Sequence, residues 1–275
     1  MTEKKKFIDI KKIFHDKNPK LAGFLPRFAL QYIRHVIHED EVNEFIESHT
    51  DQSEFDWLRS GLNEFKIKII SNSEEQIPLH GGFIIACNHP LGGWDALALL
   101  EVVSHRRKDI KFIVNDILLQ LKNLAGLFIG VNKHGKNAQI SLAAIDELYS
   151  SEHGVLIFPA GLVSRKQNSV IKDLEWKKSF ITKSKKHKRN VIPVHIEGEN
   201  TNRFYNLANW RKRLGIKANI EMFFLVDEMF KQKNKTITIT FGKPIPYSVF
   251  DKSKTDYEWA QWVKEKVYNL TAEIK

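Results

Sequence analysis

The sequence predicts an α/β fold, with a mostly parallel sheet of about seven strands covered by helices and a helical cap at the N-terminus. From residue 81 onward, short apolar segments alternate with segments whose apolar residues recur at helical spacing. This alternation is typical of parallel strands buried on both faces. Before residue 66 the pattern is helical. We therefore predict a cap and membrane-contact segment over residues 1–65 and an α/β domain over residues 66–275.

The predicted strands are short runs rich in apolar and β-branched residues. They cover residues 66–70, 82–88, 110–114, 127–132, 154–159, 190–197, 219–226 and 235–241. The last strand alternates threonine with isoleucine, so we expect it near an edge of the sheet. The helices of the α/β domain are predicted from apolar residues three and four positions apart. They cover residues 95–105, 116–125, 137–150, 173–187, 203–213 and 257–274.

The N-terminal segment combines helical periodicity with lysines and aromatic residues. Phe7, Ile10 and Phe14 share one face of the first predicted helix, with lysines around them. Residues 21–37 are apolar on more than one helical face but are interrupted by arginines, and residues 39–65 are acidic and helical. Helices of the first two kinds either pack on a domain or lie in the surface of a membrane, and the sequence leaves both open.

Composition narrows the class of protein. The chain has 275 residues, of which 42% are hydrophobic and 28% are charged, as is ordinary for a globular protein. It has no apolar run of about 18 residues, so no membrane-spanning helix is predicted. Its one cysteine, Cys87, lies in an apolar segment, so we expect no disulfide and a cytoplasmic location. No cluster of residues has the spacing of a zinc site, and no metal is predicted.

The net charge of +10 calls for an acidic partner. Residues 165–189 contain ten lysines and arginines against two acidic residues. Anionic lipid, nucleic acid and an acidic carrier protein would each fit this segment, and so would an ordinary solvated helix face. Since the chain lacks a recognisable nucleic-acid-binding motif, no nucleic acid is expected as a partner.

Residues 81–96, GGFIIACNHPLGGWDA, contain the side chains best suited to catalysis. His89 leaves the carboxyl end of a predicted strand, and Asp95 is placed as the N-cap of the next helix. In open α/β sheets, ligands bind at that edge. A histidine whose second nitrogen is held by a carboxylate can take the proton from an alcohol. A structural role for both residues fits the spacing equally well.

Four sequence blocks resemble those of the glycerolipid acyltransferases, the 1-acylglycerol-3-phosphate acyltransferase family. NHPLGGWD at 88–95 resembles the histidine–aspartate motif, with five intervening residues instead of the usual four. That spacing resembles the branch of haemolysin-like and lyso-ornithine-lipid-type acyltransferases. The other blocks follow in the family's order: AGLFIGVNK at 125–133, IFPAGLVSRK at 157–166 and VIPVHI at 191–196.

The resemblance implies an enzyme that moves a fatty acyl group from an acyl thioester to a lysolipid hydroxyl in membrane lipid synthesis. The donor would be carried by acyl carrier protein or coenzyme A, and no bound cofactor is implied. His89 would be the general base and Asp95 would orient it, with N–H groups of the Gly92–Gly93 turn as candidate donors to the oxyanion. The residues implied in substrate binding are Asn88, Pro90, Gly92, Gly93, Lys133, Phe158, Pro159, Gly161, Arg165 and Lys166.

Two departures from the family pattern bear on the acceptor. Lys133 stands nearest to the usual arginine of the second block, and Ala160 replaces the usual glutamate of the third. Because a lysine lacks the bidentate fork of an arginine, a phosphate would be held less firmly. Lysophosphatidic acid is therefore less favoured as the acceptor. A lyso-aminolipid, whose acceptor hydroxyl sits on a fatty acyl chain, suits the resemblance to the lyso-ornithine-lipid-type branch better, and a lysophospholipid stays open.

The basic charge implies two partners for such an enzyme. Residues 165–189 and the N-terminal helices are expected to hold it to anionic lipid at the inner face of the cell membrane. The same charge would attract acidic acyl carrier protein. The alternative to an enzyme is a non-catalytic lipid- or carrier-binding protein with the same fold.

Overall fold

The computed structural model describes residues 6–10, 12, 26–131, 137–216 and 219–270, with backbone alone for residues 116, 117, 131 and 137–140. Nine strands are present within this part of the chain, seven of them in one sheet. In chain order they are β1 (Lys68–Asn72), β2 (Phe83–Cys87), β3 (Ile110–Asn115), β4 (Phe128–Val131), β5 (Gly154–Ile157), β6 (Arg165–Gln167), β7 (Val170–Lys172), β8 (Asn190–Ile196) and β9 (Thr236–Phe241). Strands β6 and β7 form a separate antiparallel hairpin.

The large sheet is mostly parallel, as predicted. Its strand order is β1-β9-β8-β2-β5-β3-β4. Every pair of neighbours is parallel except β8 and β9, so β1 and β9 run against the other five strands. Strand β2 occupies the middle of the sheet, and β9, with its alternating threonines, lies second from an edge. The α/β fold class is confirmed.

Helices precede the sheet and connect its strands. The α-helices within the described ranges are α1 (Arg27–Val36), α2 (Glu39–Ser48), α3 (Glu54–Glu64), α4 (Gly93–Ser104), α5 (Asn137–Ser150), α6 (Ser179–His187), α7 (Asn202–Arg213), α8 (Leu225–Phe230) and α9 (Asp256–Asn269). Shorter 3₁₀ segments cover Glu74–Gln76, Asp116–Gln120, Lys122–Leu127, Ile220–Phe224 and Tyr247–Val249. A search of this part of the chain finds no helix with the length and apolarity needed to cross a bilayer.

Strand β2 explains why the sheet is covered on both faces. All five of its residues are buried, and successive side chains point to opposite faces. Phe83, Ile85 and Cys87 join a core with residues of α3 and α4, whereas Ile84 and Ala86 join a second core with residues of α5, α6 and α9. The residues that follow β2 therefore lie at the centre of the sheet edge where β2 and its parallel neighbours end.

The predicted strand 219–226 was wrong. The segment is a 3₁₀ turn, Ile220–Phe224, that leads into α8. Glu221 lies in its middle with no exposed surface, and its carboxylate pairs with the guanidinium groups of Arg165 and Arg211. A buried charge needs partners of opposite sign, so the turn that brings Glu221 to the two arginines replaces a strand.

Two predicted helices were also wrong in extent. The helix predicted over 173–187 begins only at Ser179. Residues 173–177, which follow the β6–β7 hairpin, have no regular structure, and they form hydrogen bonds with other segments: Asp173 accepts the His89 N–H, and the Lys177 N–H donates to the Pro159 carbonyl. The helix predicted over 116–125 is two 3₁₀ segments. Its Asn123 amide donates to backbone carbonyls between residues 49 and 52, and these bonds fix the segment against the end of α2.

The helices before β1 are attached closely to the sheet. Trp57, Leu58 and Leu62 of α3 belong to the same core as β2. Glu39, at the start of α2, accepts a hydrogen bond from the backbone N–H of Ile10. Phe14 of the predicted first helix and the end of the predicted last helix lie outside the described residues, and the domain division at residue 65 stays a prediction.

Candidate active site

His89 lies two residues past β2, where the chain turns into α4. Gly92, with φ +81°, is the N-cap of this helix. Asp95 therefore occupies the third helical position, not the N-cap position that the sequence indicated. That difference matters, because a carboxylate in the first turn can reach back to the N–H groups before the helix and to the imidazole.

The His89 ring and the Asp95 carboxylate are hydrogen-bonded. Nδ1 of His89 lies 2.8 Å from Oδ2 of Asp95. The same oxygen accepts the backbone N–H groups of Leu91, at 2.8 Å, and Gly92, at 3.0 Å. Because an ionised carboxylate only accepts, Nδ1 of a neutral ring carries the proton and Nε2 keeps its lone pair. The pair is thus arranged as a general base requires.

The two hydrogen-bonded side chains differ in solvent exposure: the Asp95 carboxyl is buried, whereas part of the His89 side chain is exposed. Asp95 has no exposed surface, and this burial raises the pKa of its carboxyl, while the His89 ring and the two N–H groups lower it. The His89 side chain is 17% exposed. Among the described residues, none hydrogen-bonds its Nε2. The basic nitrogen is therefore accessible while the orienting acid is enclosed.

Phe158 fixes the plane of the His89 ring. The two rings stack with centroids 3.8 Å apart and an interplanar angle of 11°. The Phe158 ring in turn packs against the ring of Phe112 in β3, with centroids 4.8 Å apart. Phe158 was predicted from the third sequence block as a substrate-binding residue. The structure places it against the base, so any substrate that it contacts lies beside the imidazole.

A second carboxylate holds the backbone of His89. The His89 carbonyl accepts the N–H of Ser164 at 2.8 Å, and the His89 N–H donates to Oδ1 of Asp173 at 3.2 Å. Asp173 is 4% exposed, and it also accepts from the Ser164 hydroxyl, at 2.6 Å, and from Nε1 of Trp176, at 2.9 Å. Sequence reasoning missed this residue. The available signal was an aspartate in an otherwise basic run.

Asn88 and Pro90, on either side of His89, connect the turn to β8 and to the loop that follows it. Asn88 is 2% exposed, donates to the carbonyl of Ile196 at 2.8 Å and accepts its N–H at 2.7 Å. The Pro90 carbonyl accepts from the side-chain amide of Asn200 at 3.0 Å. These contacts position the turn, and direct binding of substrate by Asn88 and Pro90 stays a prediction.

Helix α8 packs directly on the two glycines of the turn. A Cβ atom on Gly92 would lie 3.3 Å from Leu225, and one on Gly93 would lie 2.6 Å from the sulfur of Met229. The Gly92 N–H already donates to Asp95, so it is not available to an oxyanion. Gly93 is the first residue of α4, and the first backbone N–H groups of a helix have no intrahelical partner. Of the two predicted donors, Gly93 is the better placed.

The third sequence block forms the loop opposite the turn. The Gly161 N–H donates to the carbonyl of Phe158, with φ +69° at the glycine, and the carbonyl of buried Pro159 accepts from Lys177. This loop delivers Ser164 to the His89 carbonyl. The roles of Pro159 and Gly161 in substrate binding stay predictions.

The predicted cations differ in how available they are. Arg165 is 7% exposed; its guanidinium donates to Glu221 at 2.8 Å and to the Val163 carbonyl at 2.6 Å, and burial lowers its pKa. Lys166, the next residue, is only partly buried, and its ammonium contacts Asn202 at 2.7 Å. Lys133 lies outside the described residues. Among the described residues, no group of acids, histidines and cysteines is arranged to hold a metal ion.

A partly exposed histidine at the end of the central strand of an α/β sheet, hydrogen-bonded to a buried carboxylate, is an arrangement that can activate a hydroxyl group. A family model described as Acyltransferase matches residues 12–275. The chain belongs to this acyltransferase family and is an acyltransferase.

Known proteins of the family include two close relatives. The chain is 46% identical to the lyso-glycine lipid O-acyltransferase of Bacteroides thetaiotaomicron over 264 residues, which are 96% of this chain and 97% of that protein. It is 43% identical to the lyso-glycine lipid O-acyltransferase of Phocaeicola vulgatus, over 96% of this chain and 95% of that protein. Over nearly its whole length the chain is therefore similar to proteins named as lyso-glycine lipid O-acyltransferases.

A solved structure has the same fold. It is the crystal structure of the 1-acyl-sn-glycerophosphate acyltransferase PlsC from Thermotoga maritima, which aligns with a TM-score of 0.50 and 18% identity. The alignment covers 94% of this chain and 89% of that chain. This structural similarity shows a shared fold alone.

Proposed function

We propose that the protein transfers a fatty acyl group from an acyl thioester to the hydroxyl of a lyso-glycine lipid, with His89 as the general base. The observation that supports this mechanism is the hydrogen bond from His89 Nδ1 to the buried Asp95, which leaves Nε2 accessible. The acceptor is proposed from the two close relatives, whose names specify a lyso-glycine lipid.

The proposed reaction uses a nucleophile supplied by the acceptor. Nε2 of His89 takes the proton of the acceptor hydroxyl while the oxygen attacks the thioester carbonyl. Asp95 stabilises the imidazolium that forms. The tetrahedral intermediate then loses the thiolate as the carbon–sulfur bond breaks, and the thiolate takes the proton from the imidazolium. The Gly93 N–H is proposed as a donor to the oxyanion of that intermediate.

The proposed acceptor requires a cation. A glycine joined through its nitrogen keeps a carboxylate, which a lysine binds as a point charge without needing a bidentate fork. Lys166 is the more accessible of the two neighbouring cations, and its segment follows the Ser164 contact to His89 directly. We therefore propose Lys166 for the carboxylate. Arg165 would instead shape this side of the site through its ion pair with Glu221.

The proposed donor is an acyl thioester on acyl carrier protein or coenzyme A, and the proposed location is the cytoplasmic surface of the membrane. The net charge of +10 supports an acidic carrier and an anionic lipid surface.

The decisive experiment offers the purified protein two acceptors in detergent micelles, a lyso-glycine lipid and lysophosphatidic acid, each with acyl carrier protein or coenzyme A thioesters. We expect mass spectrometry to detect the diacylated glycine lipid, formed at a much higher rate than phosphatidic acid. His89→Ala serves as the blank. Faster acylation of lysophosphatidic acid would contradict the proposed acceptor, and no acylation of either would contradict the reaction.

The Lys166 assignment has its own control. Lys166→Ala is expected to raise KM for the lyso-glycine lipid roughly tenfold with little change in kcat, since a charge contact made equally in ground and transition states affects binding. Lys178→Ala removes an exposed lysine of the same basic segment and is expected to leave KM unchanged. Equal effects of the two variants would show that only overall charge matters.

A further inference from the structure

Six large hydrophobic side chains are exposed on three segments of the protein that pack together, which we call the aromatic–basic face. They lie on α1, on and just after α7, and in the 3₁₀ turn before α8: Phe28, Tyr32, Trp210, Leu214, Ile216 and Phe223. Trp210 is 59% exposed and Phe28 76%. Single exposed apolar residues are ordinary, but a contiguous group of this size indicates a binding surface.

Arg203, at the start of α7, joins the three segments. Its guanidinium donates to the hydroxyl of Tyr32 at 2.8 Å and lies 5.2 Å from the ring centre of Phe224. Residues 203, 210 and 214 recur at the spacing of a single helical face. Trp210 and Leu214 therefore extend along α7 from the point where it meets Tyr32, and the exposed residues form one surface.

The charge of this face has one sign. Residues 27–36 and 202–216 together contain six lysines and arginines and no aspartate or glutamate. Two of the six are paired, Arg34 with Glu39 and Asp40 and Arg211 with the buried Glu221 of the 3₁₀ turn. Lys212 and Arg213, at the end of α7, are both exposed, and Arg213 lies three positions after Trp210 on the same side of the helix. Aromatic and aliphatic side chains mixed with exposed cations are the composition that binds an interface of acyl chains and anionic head groups.

The lysine-rich helix α6, which the sequence indicated for membrane contact, differs from the aromatic–basic face in its ion pairs and in its exposed hydrophobic residues. Lys183, Lys186 and His187 share the carboxylate of Asp146, and Lys185 pairs with Asp256. Among its described residues, α6 exposes no large hydrophobic side chain. Its charge is partly neutralised within the protein, and it has nothing to insert into a bilayer.

The aromatic–basic face also adjoins the candidate active site. Phe223 precedes Leu225, whose side chain packs on Gly92 in the turn after His89. Glu221, in the same 3₁₀ turn, pairs with Arg165 in the strand that follows the Ser164 contact to His89. The 3₁₀ turn and α8 therefore connect the aromatic–basic face to the turn after His89.

We propose that the aromatic–basic face docks on the anionic surface of a membrane and presents the acceptor lipid to the site. This inference builds on the proposed function, because it names the surface from which the acceptor is taken. Trp210 and Leu214 enter the interface, Lys212 and Arg213 bind anionic head groups, and α6 faces away from the lipid.

The test compares two face variants with a matched variant of α6. The face variants are Trp210→Ser/Leu214→Ser and Lys212→Ser/Arg213→Ser, and the control is Lys185→Ser/Lys186→Ser. Each protein is sedimented with vesicles of phosphatidylcholine alone or mixed with phosphatidylglycerol. Acyl transfer is then measured with the lyso-glycine lipid in vesicles and in detergent micelles.

We expect each face variant to bind the phosphatidylglycerol vesicles roughly tenfold more weakly than the wild type, given the contribution of each surface cation and of buried apolar area. Transfer to the vesicle-bound acceptor falls in parallel, while transfer in micelles stays within about twofold of the wild-type rate because these residues lie outside the candidate site. The α6 variant behaves as the wild type in every assay.

Three results separate the possibilities. Wild-type binding by the face variants, or loss of binding in the α6 variant alone, overturns the proposal. A raised KM for acyl carrier protein with unchanged vesicle binding assigns the face to that protein and also overturns it. If the wild type transfers no acyl group in micelles but binds vesicles through the face, the docking proposal is supported and the proposed function fails.

Discussion

Two buried carboxylates hold His89, and they do so in different ways. Asp95 uses one oxygen to accept the imidazole Nδ1–H and two backbone N–H groups, and its other oxygen has no hydrogen-bond partner among the described residues. Asp173 uses both oxygens and accepts only neutral donors: the His89 backbone N–H, a hydroxyl and an indole.

These different contacts predict different roles for the two carboxylates: one in proton transfer, the other in positioning the His89 ring. In the proposed mechanism, Asp95 contacts the imidazole that takes the proton, so its negative charge would stabilise the imidazolium directly. Asp173 contacts the peptide that carries the same side chain, so it determines where the ring is held. Removing the first carboxylate is expected to change the chemistry, and removing the second is expected to change the geometry and the stability.

The largest effect is expected from removing the base itself. His89→Ala should lower kcat/KM by about 10⁴-fold, the upper end of the range for general base catalysis. Because the ring is partly exposed and the backbone contacts to Ser164 and Asp173 remain, the variant should keep its fold. Steady-state kinetics and circular dichroism measure the two quantities. Near-normal turnover in a folded variant would mean that His89 is not the base.

Asp95→Asn is expected to have the next largest effect. The amide oxygen can replace Oδ2 as acceptor, but the amide is neutral and no longer stabilises the imidazolium by its charge, so kcat should fall by about 10³-fold. The Leu91 and Gly92 N–H groups can still donate to the amide oxygen, so the thermal midpoint should change little. A variant with normal kcat and a low thermal midpoint would assign Asp95 to structure alone.

Asp173→Asn should give the reverse pattern. The amide has one acceptor oxygen in place of two, so one buried donor, the Trp176 indole or the His89 backbone N–H, loses its partner. That loss costs about 1–3 kcal/mol of unfolding free energy. Activity should fall by roughly tenfold through displacement of the His89 peptide, with the pH profile of kcat unchanged because the ring pair is intact.

Ser164→Ala is the matched control for this variant. It removes one donor to Asp173 but keeps the backbone hydrogen bond from residue 164 to the His89 carbonyl. We expect a loss of about 1 kcal/mol in a urea titration and nearly unchanged kcat. A shift of the kinetic pH profile in Asp173→Asn would show that Asp173 also acts on the imidazole charge, and the contrast with Asp95 would then fail.

The sequence allowed one of the two carboxylates to be predicted. His89 and Asp95 are six positions apart, and the proline and glycines between them are local signals for the strand, the turn and the helix. Asp173 contacts a peptide that lies 84 positions away in the chain. That contact depends on where the β6–β7 hairpin folds back, which no local pattern specifies.

The same limit explains the errors in the fold. Strand β2 was predicted to within a residue because a fully apolar run between glycine and Asn-His-Pro is decided by its own composition. Residues 219–226 are apolar apart from Asn219 and Glu221, and this glutamate decides their structure by pairing with Arg165 and Arg211. Both partners come from other elements, so the 3₁₀ turn appears only once the fold is known.

The smallest effect on catalysis is expected at His195, on the Asp173 side of the site. Its ring is 9% exposed and packs edge-on against Tyr268, whose hydroxyl accepts the backbone N–H of Asp173. Burial lowers the pKa of His195 to about 4. The unfolded chain, with a histidine pKa of about 6.5, therefore binds a proton that the folded protein excludes.

The sign follows from that difference. Above about pH 6.5, His195 is neutral in both the folded and the unfolded state and does not change the free energy of unfolding. As the pH falls from about 6.5 to about 4, the unfolded state takes up the proton first. The free energy of unfolding therefore falls by about 3 kcal/mol over this range. His195→Leu should remove this dependence, so urea titrations at neutral and acidic pH should show a smaller loss than in the wild type. Neutral-pH kcat should stay within about twofold, because His195 contacts neither His89 nor its two carboxylates directly. A large fall in kcat would instead connect Tyr268 and Asp173 to the chemistry, and the separation between the two carboxylates would have to be abandoned.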